Sequence, residues 1–117
     1  MEKIVICDDN LPPLKRLKKF ISSGGYSVYP FENSDLLAKQ IKNKLEYDLL
    51  ITDLTFDSCI NTGEDLAELS KQEFPKIPVI LITGYSPFNS KYINLCLDKI
   101  RLDETLLPAI NRYLKNN

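Results

Sequence analysis

The stretch Lys3-Ile4-Val5-Ile6-Cys7-Asp8-Asp9 decides the fold, because it joins a short run of β-branched residues to two carboxylates. An uninterrupted apolar run of this length is typical of a strand buried on both faces, and such strands occur in parallel sheets covered by helices. A second run of the same kind, Val79-Ile80-Leu81-Ile82, is followed by Thr83. The sequence therefore predicts a parallel sheet whose strands end in polar side chains.

Helical patterns alternate with the apolar runs along the chain. The predicted strands are Lys3–Cys7, Tyr26–Phe31, Asp48–Thr52, Ile77–Ile82 and a short fifth one within Tyr92–Leu97. The predicted helices are one that carries Leu14 and Ile21 and stops at Gly24-Gly25, one capped by Ser34, one that carries Leu66 and ends before Pro75, and Asp103–Leu114. This alternation predicts an α/β fold, a doubly wound five-stranded parallel sheet of order 2-1-3-4-5 with helices on both faces.

Length and composition exclude several classes of function. The 117 residues, 44% hydrophobic and 26% charged, fit a single domain over residues 1–117. Histidine is absent, so neither imidazole acid–base catalysis nor a histidine-containing metal site is available. The 15 Lys and Arg against 16 Asp and Glu leave a net charge of −1, which gives no electrostatic reason to expect nucleic-acid binding.

Cysteine usage and hydropathy indicate where the protein works. Cys7, Cys59 and Cys96 form an odd set without metal-ligand spacing, and Cys7 and Cys96 lie in apolar runs where small buried side chains are expected. Free thiols are typical of a reducing compartment. The apolar runs are too short for a signal peptide or a membrane span, so we expect a cytoplasmic protein that does not associate with membranes.

Polar side chains that can carry chemistry follow four of the predicted strands. They are, in chain order, Asp8 and Asp9 after strand one, Asp53 after strand three, Thr83 after strand four and Lys99 after strand five. In this strand order the winding reverses between strands one and three, and sites lie outside the carboxyl ends at that point. Three converging carboxylates repel one another and favour a hard divalent cation, of which Mg²⁺ is the natural choice. An aspartate in such a site can attack phosphorus and carry a phosphoryl group as an acyl phosphate.

In these residues the sequence resembles the receiver domain of bacterial response regulators over nearly the whole chain. The resemblance rests on the pair Asp8-Asp9, the segments Asp48–Leu54 and Pro78–Tyr85, and Lys99 ahead of an amphipathic helix. It implies a two-component signalling protein, a phosphoacceptor that catalyses only its own phosphorylation and dephosphorylation. The implied phosphoryl donor is a phosphohistidine on a sensor histidine kinase or on a histidine phosphotransfer protein of a phosphorelay.

The resemblance also implies a role for each site residue. Asp53 would accept the phosphoryl group. Asp9 and Asp53 would bind Mg²⁺ directly, Asp8 would bind it through water, and the backbone carbonyl of Thr55 would complete the protein ligands. Thr83 would supply the switch hydroxyl. Lys99 would supply the ammonium group that contacts the phosphoryl group.

Two stretches depart from the family pattern. The loop Leu54–Gly63 lacks the usual proline and is longer than the loop of the family. Residues 84–98 are too few for the usual helix, loop and strand, which predicts a shortened or irregular fourth helix. The aromatic switch residue expected shortly before the lysine is missing, because Cys96 and Leu97 stand there. We therefore expect an altered output face.

Other functions are compatible with parts of this pattern. A pseudo-receiver, which binds proteins and is not phosphorylated, is the main alternative hypothesis, and the altered 84–98 segment favours it. A small phosphohydrolase is disfavoured because its motif requires a second aspartate where Thr55 stands. A flavin-binding protein would need a phosphate-cradling loop in place of Asp8-Asp9. Since the chain ends just after the last predicted helix, we expect a stand-alone or excised receiver that acts through protein contacts or as a shuttle.

Overall fold

A five-stranded, entirely parallel sheet forms the centre of the computed structural model, which describes residues 1–84 and 88–114. The strands are β1 Lys3–Cys7, β2 Ser27–Phe31, β3 Leu49–Asp53, β4 Val79–Thr83 and β5 Leu95–Asp98. Their order across the sheet is β2-β1-β3-β4-β5. The predicted fold class and strand order are therefore confirmed, and the winding reverses between β1 and β3.

Four α-helices of the described residues cover the two faces of the sheet. They are α1 Leu11–Ser23 and α4 Leu102–Leu114 on one face, and α2 Ser34–Lys42 and α3 Gly63–Glu73 on the other. A short 3₁₀ helix, Lys99–Arg101, leads from β5 into α4. Residues 88–94 contain no helix, so the predicted irregularity before β5 is confirmed for the described part of that segment. None of the helices in residues 1–84 and 88–114 is long and apolar enough to cross a membrane.

Strand β1 forms at the predicted bounds, and both of its faces are buried. In β1 the side chains of Ile4 and Ile6 pack with α1 and α4, whereas those of Val5 and Cys7 pack with α2 and α3. None of the four is more than 1% exposed. Side chains alternate between the faces of a strand, so one uninterrupted apolar run supplies both cores.

The start of α2 differs from the prediction. Asn33, and not Ser34, caps this helix, because its side-chain oxygen accepts a hydrogen bond from the Leu36 N–H at 3.0 Å. Ser34 is fully buried instead, and its hydroxyl donates to the Asn61 carbonyl oxygen at 2.6 Å. Asparagine and serine are equally good capping residues, so their order in the sequence did not decide which one takes the position.

Strand β5 begins at Leu95, inside the predicted range Tyr92–Leu97, and ends one residue beyond it at Asp98. Asn94 lies directly before the strand. Its side-chain oxygen accepts hydrogen bonds from the Val79 N–H at 2.9 Å and from Lys71 Nζ at 2.7 Å. Its own N–H donates to the Val79 carbonyl oxygen at 2.9 Å. The asparagine side chain thus replaces a regular strand contact at the beginning of β4.

The β3–α3 loop, residues 54–62, is anchored to the first turn of α2. The Asp35 carboxylate accepts hydrogen bonds from the Ile60 N–H at 3.0 and 3.1 Å and from the Asn61 N–H at 2.8 Å. The side-chain amide of Asn61 donates to the same carboxylate at 2.7 Å. In the middle of the loop, Phe56 is only 9% exposed and packs in the core beneath α2 and α3. The long loop is therefore attached to the rest of the fold at several points.

Gly63 opens α3 where its backbone lies against the end of β3. A Cβ atom at this position would lie 1.9 Å from the Asp53 carbonyl oxygen and 2.9 Å from the carbonyl carbon. The Gly63 N–H donates to the Leu54 carbonyl oxygen at 2.7 Å, which holds the two segments in this contact. Since only glycine lacks the atom that would collide, Gly63 fixes the start of α3 beside Asp53.

We expect Gly63→Ala to lower the free energy of unfolding by about 1–3 kcal/mol, because the new methyl group must push the backbone of β3 or α3 aside. Denaturation in urea, followed by circular dichroism, measures the change. Gly84→Ala is the matched control, since a Cβ atom there meets no described atom within 4 Å. Its effect should stay within about 0.5 kcal/mol. Equal effects of the two substitutions would contradict the close contact.

Asp35→Asn should lower the urea midpoint of unfolding at neutral pH, because an amide cannot accept all the hydrogen bonds from Ile60 and Asn61. Those bonds hold the pKa of the Asp35 carboxyl below its usual value of 3.8. A pKa that is lower in the folded state stabilises the fold above pH 3.8, and the effect is lost as the pH falls through the folded-state pKa. The difference between wild type and variant should therefore vanish in acid.

Asp57→Asn is the control for this substitution, because Asp57 is an exposed carboxylate of the same loop. Its midpoint should match that of the wild type at neutral pH. Two results would show that the Asp35 carboxylate does not anchor the loop. One is a decrease in the urea midpoint of Asp57→Asn equal to that of Asp35→Asn. The other is a difference in midpoint between Asp35→Asn and the wild type that does not depend on pH.

Candidate functional site

The predicted site residues meet at the edge formed by the carboxyl ends of the strands. The last pair of residues in the register of β1 and β3 includes Cys7. Asp8 and Asp53 lie one residue beyond this pair and are neighbours. Asp9 follows at once, Thr83 ends β4, and the residue after β5 is Lys99. The sheet therefore brings all of these side chains to one edge, as the sequence predicts.

An ion pair joins Asp53 to Lys99. Lys99 Nζ lies 3.0 Å from Asp53 Oδ2, and the Leu54 N–H donates to Asp53 Oδ1 at 2.8 Å. The Asp53 side chain is 14% exposed and that of Lys99 is 49% exposed. Asp98 helps to place the lysine, because its carboxylate accepts the Ile100 N–H at 2.9 Å and caps the 3₁₀ helix. The Asp53 carboxylate is thus reachable from the surface and is balanced by one ammonium group.

Asp8 and Asp9 place further negative charge beside Asp53. Burial raises the pKa of the Asp8 carboxyl, whereas the Asn10 N–H, which donates to Asp8 Oδ1 at 3.0 Å, lowers this pKa. The charges of Asp53 and Asp9 raise the pKa further, and the ammonium of Lys99 lowers it. The carboxylates are therefore close enough to repel one another, and a divalent cation relieves such an excess of charge.

Asp9 makes a contact that sequence reasoning missed. Its Oδ2 accepts a hydrogen bond from the backbone N–H of Asp57 at 2.8 Å. We call the edge that holds Asp8, Asp9 and Asp53 the acidic edge. Together with the bonds to Asp35, this bond attaches the β3–α3 loop both to the acidic edge and to α2. Every residue except proline carries a backbone N–H, so no side-chain pattern points to this bond.

The two threonines of the predicted site differ in exposure. Thr55 is exposed in the β3–α3 loop, shortly after Asp53. Thr83 lies at the end of β4, but only 1% of it is exposed. Both residues therefore lie at the carboxyl end of the sheet, and the side chain of Thr83 is inside the fold.

The predicted ligands suit Mg²⁺ better than a softer metal. They are all oxygen atoms, namely the Thr55 carbonyl and the carboxylates of Asp8, Asp9 and Asp53. As the side chains stand in the part of the chain that the structure describes, no three carboxylate, thiol or imidazole groups are arranged to hold a metal ion together. The oxygen chemistry of these residues fits the cation.

A cavity of about 740 Å³ opens beside the ion pair, between α1 and α4. Asp8, Asp53 and Lys99 contribute to its lining, and its apolar walls include Leu17, Phe20, Ile51, Ile82 and Leu102. Cavities of this size are large enough for small ligands. A reacting group can therefore approach Asp53 from the side of α1 and α4.

The cysteines are free and differ in burial. Cys7 is 1% exposed, which confirms its prediction as a buried side chain, whereas Cys96 is only partly buried and its prediction was wrong. Burial raises the pKa of the Cys7 thiol, and Cys59 and the carboxylates of the acidic edge raise it further. Cys7 therefore stays protonated at neutral pH.

Several solved structures share this architecture. The response regulator TrrA from Thermotoga maritima, in complex with Mg²⁺-BeF, matches 97% of this chain and 100% of its own with a TM-score of 0.86 and 23% identity. A receiver domain protein from Clostridium thermocellum matches 99% of this chain and 96% of its own with a TM-score of 0.85 and 24% identity. A CheY-like receiver domain protein from Methanospirillum hungatei matches 99% and 95%, with a TM-score of 0.85 and 23% identity. These likenesses show the fold.

The family follows from the sequence match. The sequence model described as the response regulator receiver domain matches residues 4–100, which run from β1 into the 3₁₀ helix that begins with Lys99. The matched region contains the acidic edge and the β3–α3 loop. The chain belongs to the response regulator receiver domain family.

Proposed function

We propose that this receiver domain accepts a phosphoryl group on Asp53 from a phosphohistidine of a sensor histidine kinase or a histidine phosphotransfer protein. Receiver domains are signalling phosphoacceptors of two-component systems, and such donors are their general partners. The observation that carries the proposal is the 3.0 Å ion pair between Lys99 and Asp53, at an edge that also holds Asp8 and Asp9. The Mg²⁺-BeF complex of the Thermotoga maritima protein supports the same chemistry here.

In the proposed transfer an Asp53 carboxylate oxygen attacks the phosphorus atom, while the bond from phosphorus to the donor imidazole nitrogen breaks. The products are an acyl phosphate on Asp53 and an unmodified histidine on the donor. Lys99, which is half-exposed, moves from the carboxylate to a phosphoryl oxygen and balances the added charge. The cavity between α1 and α4 gives the donor access to Asp53.

Mg²⁺ would be held by Asp9 and Asp53 directly, by Asp8 through water, and by the Thr55 carbonyl. When bound, it neutralises negative charge on the carboxylates and on the phosphoryl oxygens. Asp9 takes part by giving up its bond to the Asp57 N–H, which releases the near end of the β3–α3 loop.

The β3–α3 loop is the proposed route by which the site signals. Asp57 of the loop bonds to Asp9, Asn61 bonds to Asp35 in α2, and Phe56 is buried. Thr83, the switch hydroxyl implied by the resemblance, is buried, and residues 88–94 contain no helix. A change at Asp9 therefore reaches the loop and α2 more directly than it reaches the segment after β4.

A second candidate function is a pseudo-receiver that binds proteins without being phosphorylated. Two observations favour it. Asp9 bonds to the loop, and the described side chains contain no group of three that could hold a metal ion. In a pseudo-receiver this bond would persist in the presence of Mg²⁺. Phosphorylation of the chain separates the two functions.

Incubation of the chain with Mg²⁺ and acetyl phosphate should add the mass of one phosphoryl group, about 80 Da, and peptide mapping should locate it on Asp53. Asp53→Asn should abolish the gain, because an amide oxygen is a far weaker nucleophile than a carboxylate. Asp57→Asn is the matched control in the same loop region, and it should retain the gain.

No mass gain in the wild type, together with no heat of Mg²⁺ binding in titration calorimetry, would rule out the phosphoacceptor and support the pseudo-receiver. A gain that persists in Asp53→Asn would assign the phosphoryl group to another residue. Removal of Mg²⁺ with a chelator should suppress the gain in the wild type, since the three carboxylates then repel the incoming phosphoryl oxygens.

A further inference from the structure

The cavity beside the ion pair extends away from Asp53 and follows α1. Its volume is about 740 Å³, and α1 lines it from Pro13 to Ser23, a rise of about 15 Å. The other helix, α4, contributes its first residues, Leu102 and Asp103. The cavity is therefore an elongated groove that starts at the acidic edge and runs towards the amino ends of the strands.

The groove ends where α1 and α4 approach each other. A Cβ atom on Gly24, which directly follows α1, would lie 2.9 Å from Leu107 Cδ2 in α4. Close by in the chain, the Tyr26 hydroxyl donates a hydrogen bond to the side-chain oxygen of Asn111, also in α4. The two helices are thus held together at the end of α1 and stand apart nearer its start, so their packing produces the groove.

Apolar side chains form the floor and the walls of the groove. In the floor, Ile51 of β3 is fully buried and Ile82 of β4 is 5% exposed. On the two helices, Leu17, Phe20 and Leu102 are only partly buried. An apolar group that covers such side chains removes their surface from water, which is favourable. The groove therefore suits a ligand with an aliphatic body.

Two basic side chains on the rim of the groove have no charged partner. Arg16 and Lys19 of α1 line the groove and are exposed. Within residues 1–84 and 88–114, neither forms an ion pair. They are three positions apart, so they lie on the same side of the helix. Charge complementarity therefore favours an anionic head group on this side.

The acidic side chains of the lining lie at the other side of the groove. Asp8 and Asp53 belong to the acidic edge, where Lys99 offsets part of their charge. Asp103 is in the first turn of α4, where the helix dipole favours a carboxylate. The two basic residues lie about one and two turns farther along α1 than Pro13. The head group of an anionic ligand therefore belongs on α1, away from the acidic edge.

We propose that the groove between α1 and α4 binds a medium-chain fatty acid, with its carboxylate on Arg16 and Lys19. The chain lies over Leu17, Phe20 and Leu102. Since C–C bonds are about 1.5 Å long, an extended acid of about ten carbons has a length comparable to that of the groove. Because both cations are exposed, the carboxylate contributes little to the affinity, and the buried chain contributes most of it.

A bound acid would also lie on the path to Asp53, and this consequence rests on the proposed function. The phosphoryl donor is proposed to reach Asp53 through the same cavity. A chain that fills the cavity should therefore slow phosphorylation. Binding of the acid does not require phosphorylation, so the two can be measured separately.

Titration calorimetry of the full chain with octanoate and with decanoate, each below its micelle concentration, tests the site. Each additional buried CH₂ group should tighten binding about three- to fourfold, so decanoate should bind about tenfold more tightly than octanoate. Decylamine, which has the same chain length and is cationic at neutral pH, should bind more weakly than decanoate. Absence of binding by both acids, or tighter binding of decylamine, would overturn the proposal.

A double charge reversal, Arg16→Glu with Lys19→Glu, tests where the head group binds. It should weaken decanoate binding about tenfold, since two attractive pairs become repulsive. Lys15→Glu with Lys18→Glu is the matched control, because both lysines are exposed on α1 and neither is among the described residues that line the groove. Its affinity should stay within about twofold of the wild type. Equal losses in the two variants would show that only the net charge of α1 matters and would overturn the assignment.

The rate of phosphorylation by acetyl phosphate and Mg²⁺ tests the consequence. With decanoate at about ten times its dissociation constant, roughly a tenth of the sites stay empty, so the wild type should react about tenfold more slowly. The Arg16→Glu, Lys19→Glu variant should slow only about twofold at the same concentration. An equal loss in both would mean that decanoate acts outside the groove, for example on Mg²⁺, and would overturn the consequence.

The remaining outcomes separate this inference from the proposed function. Decanoate binding with an unchanged rate of phosphorylation would overturn the effect on Asp53 and leave the site established. Decanoate binding to a chain that is never phosphorylated would overturn the proposed function as well, and the site would still stand. Phosphorylation of a chain that binds neither acid would overturn the site and leave the proposed function intact.

Discussion

The ion pair between Asp53 and Lys99 joins β3 to the residue after β5, although β4 lies between these strands. It forms because all five strands are parallel, so their carboxyl ends and the residues that follow them meet at one edge. Three carboxylates share this edge with one ammonium group. Burial is the main reason for the raised pKa of the Asp8 carboxyl, and the charges of Asp53 and Asp9 raise it further. The excess of negative charge at this edge is the physical basis of the proposed Mg²⁺ site.

The β3–α3 loop connects this edge to the helices on the other side of the sheet. Gly63 lets the start of α3 lie against the Asp53 carbonyl, and Phe56 anchors the middle of the loop in the core. The bonds to Asp9 and Asp35 then hold the loop at Asp57 and Asn61. In a chain whose residues 88–94 contain no helix, this loop is attached both to Asp9 and to α2.

The fold, and the convergence of the predicted site residues at one edge of the sheet, could be predicted because both depend on local pattern. The apolar runs Ile4–Ile6 and Val79–Ile82 define buried parallel strands, and polar residues that end such strands must share an edge. The roles of single atoms could not be predicted. The Asp57 bond to Asp9 uses a backbone N–H, and the burial of Thr83 depends on tertiary packing. Neither this hydrogen bond nor the burial of Thr83 can be read from a sequence pattern.

Hydrogen exchange at the Asp57 amide, followed by NMR, decides whether the acidic edge and the loop act together. The spectra would be compared before and after addition of Mg²⁺ and beryllofluoride, a mimic of the acyl phosphate. We predict faster exchange at Asp57, because Asp9 leaves its N–H, and unchanged exchange at Leu50, whose N–H is held by the Pro78 carbonyl within the sheet. Unchanged protection at Asp57, with the site demonstrably loaded, would show that the loop does not carry the signal.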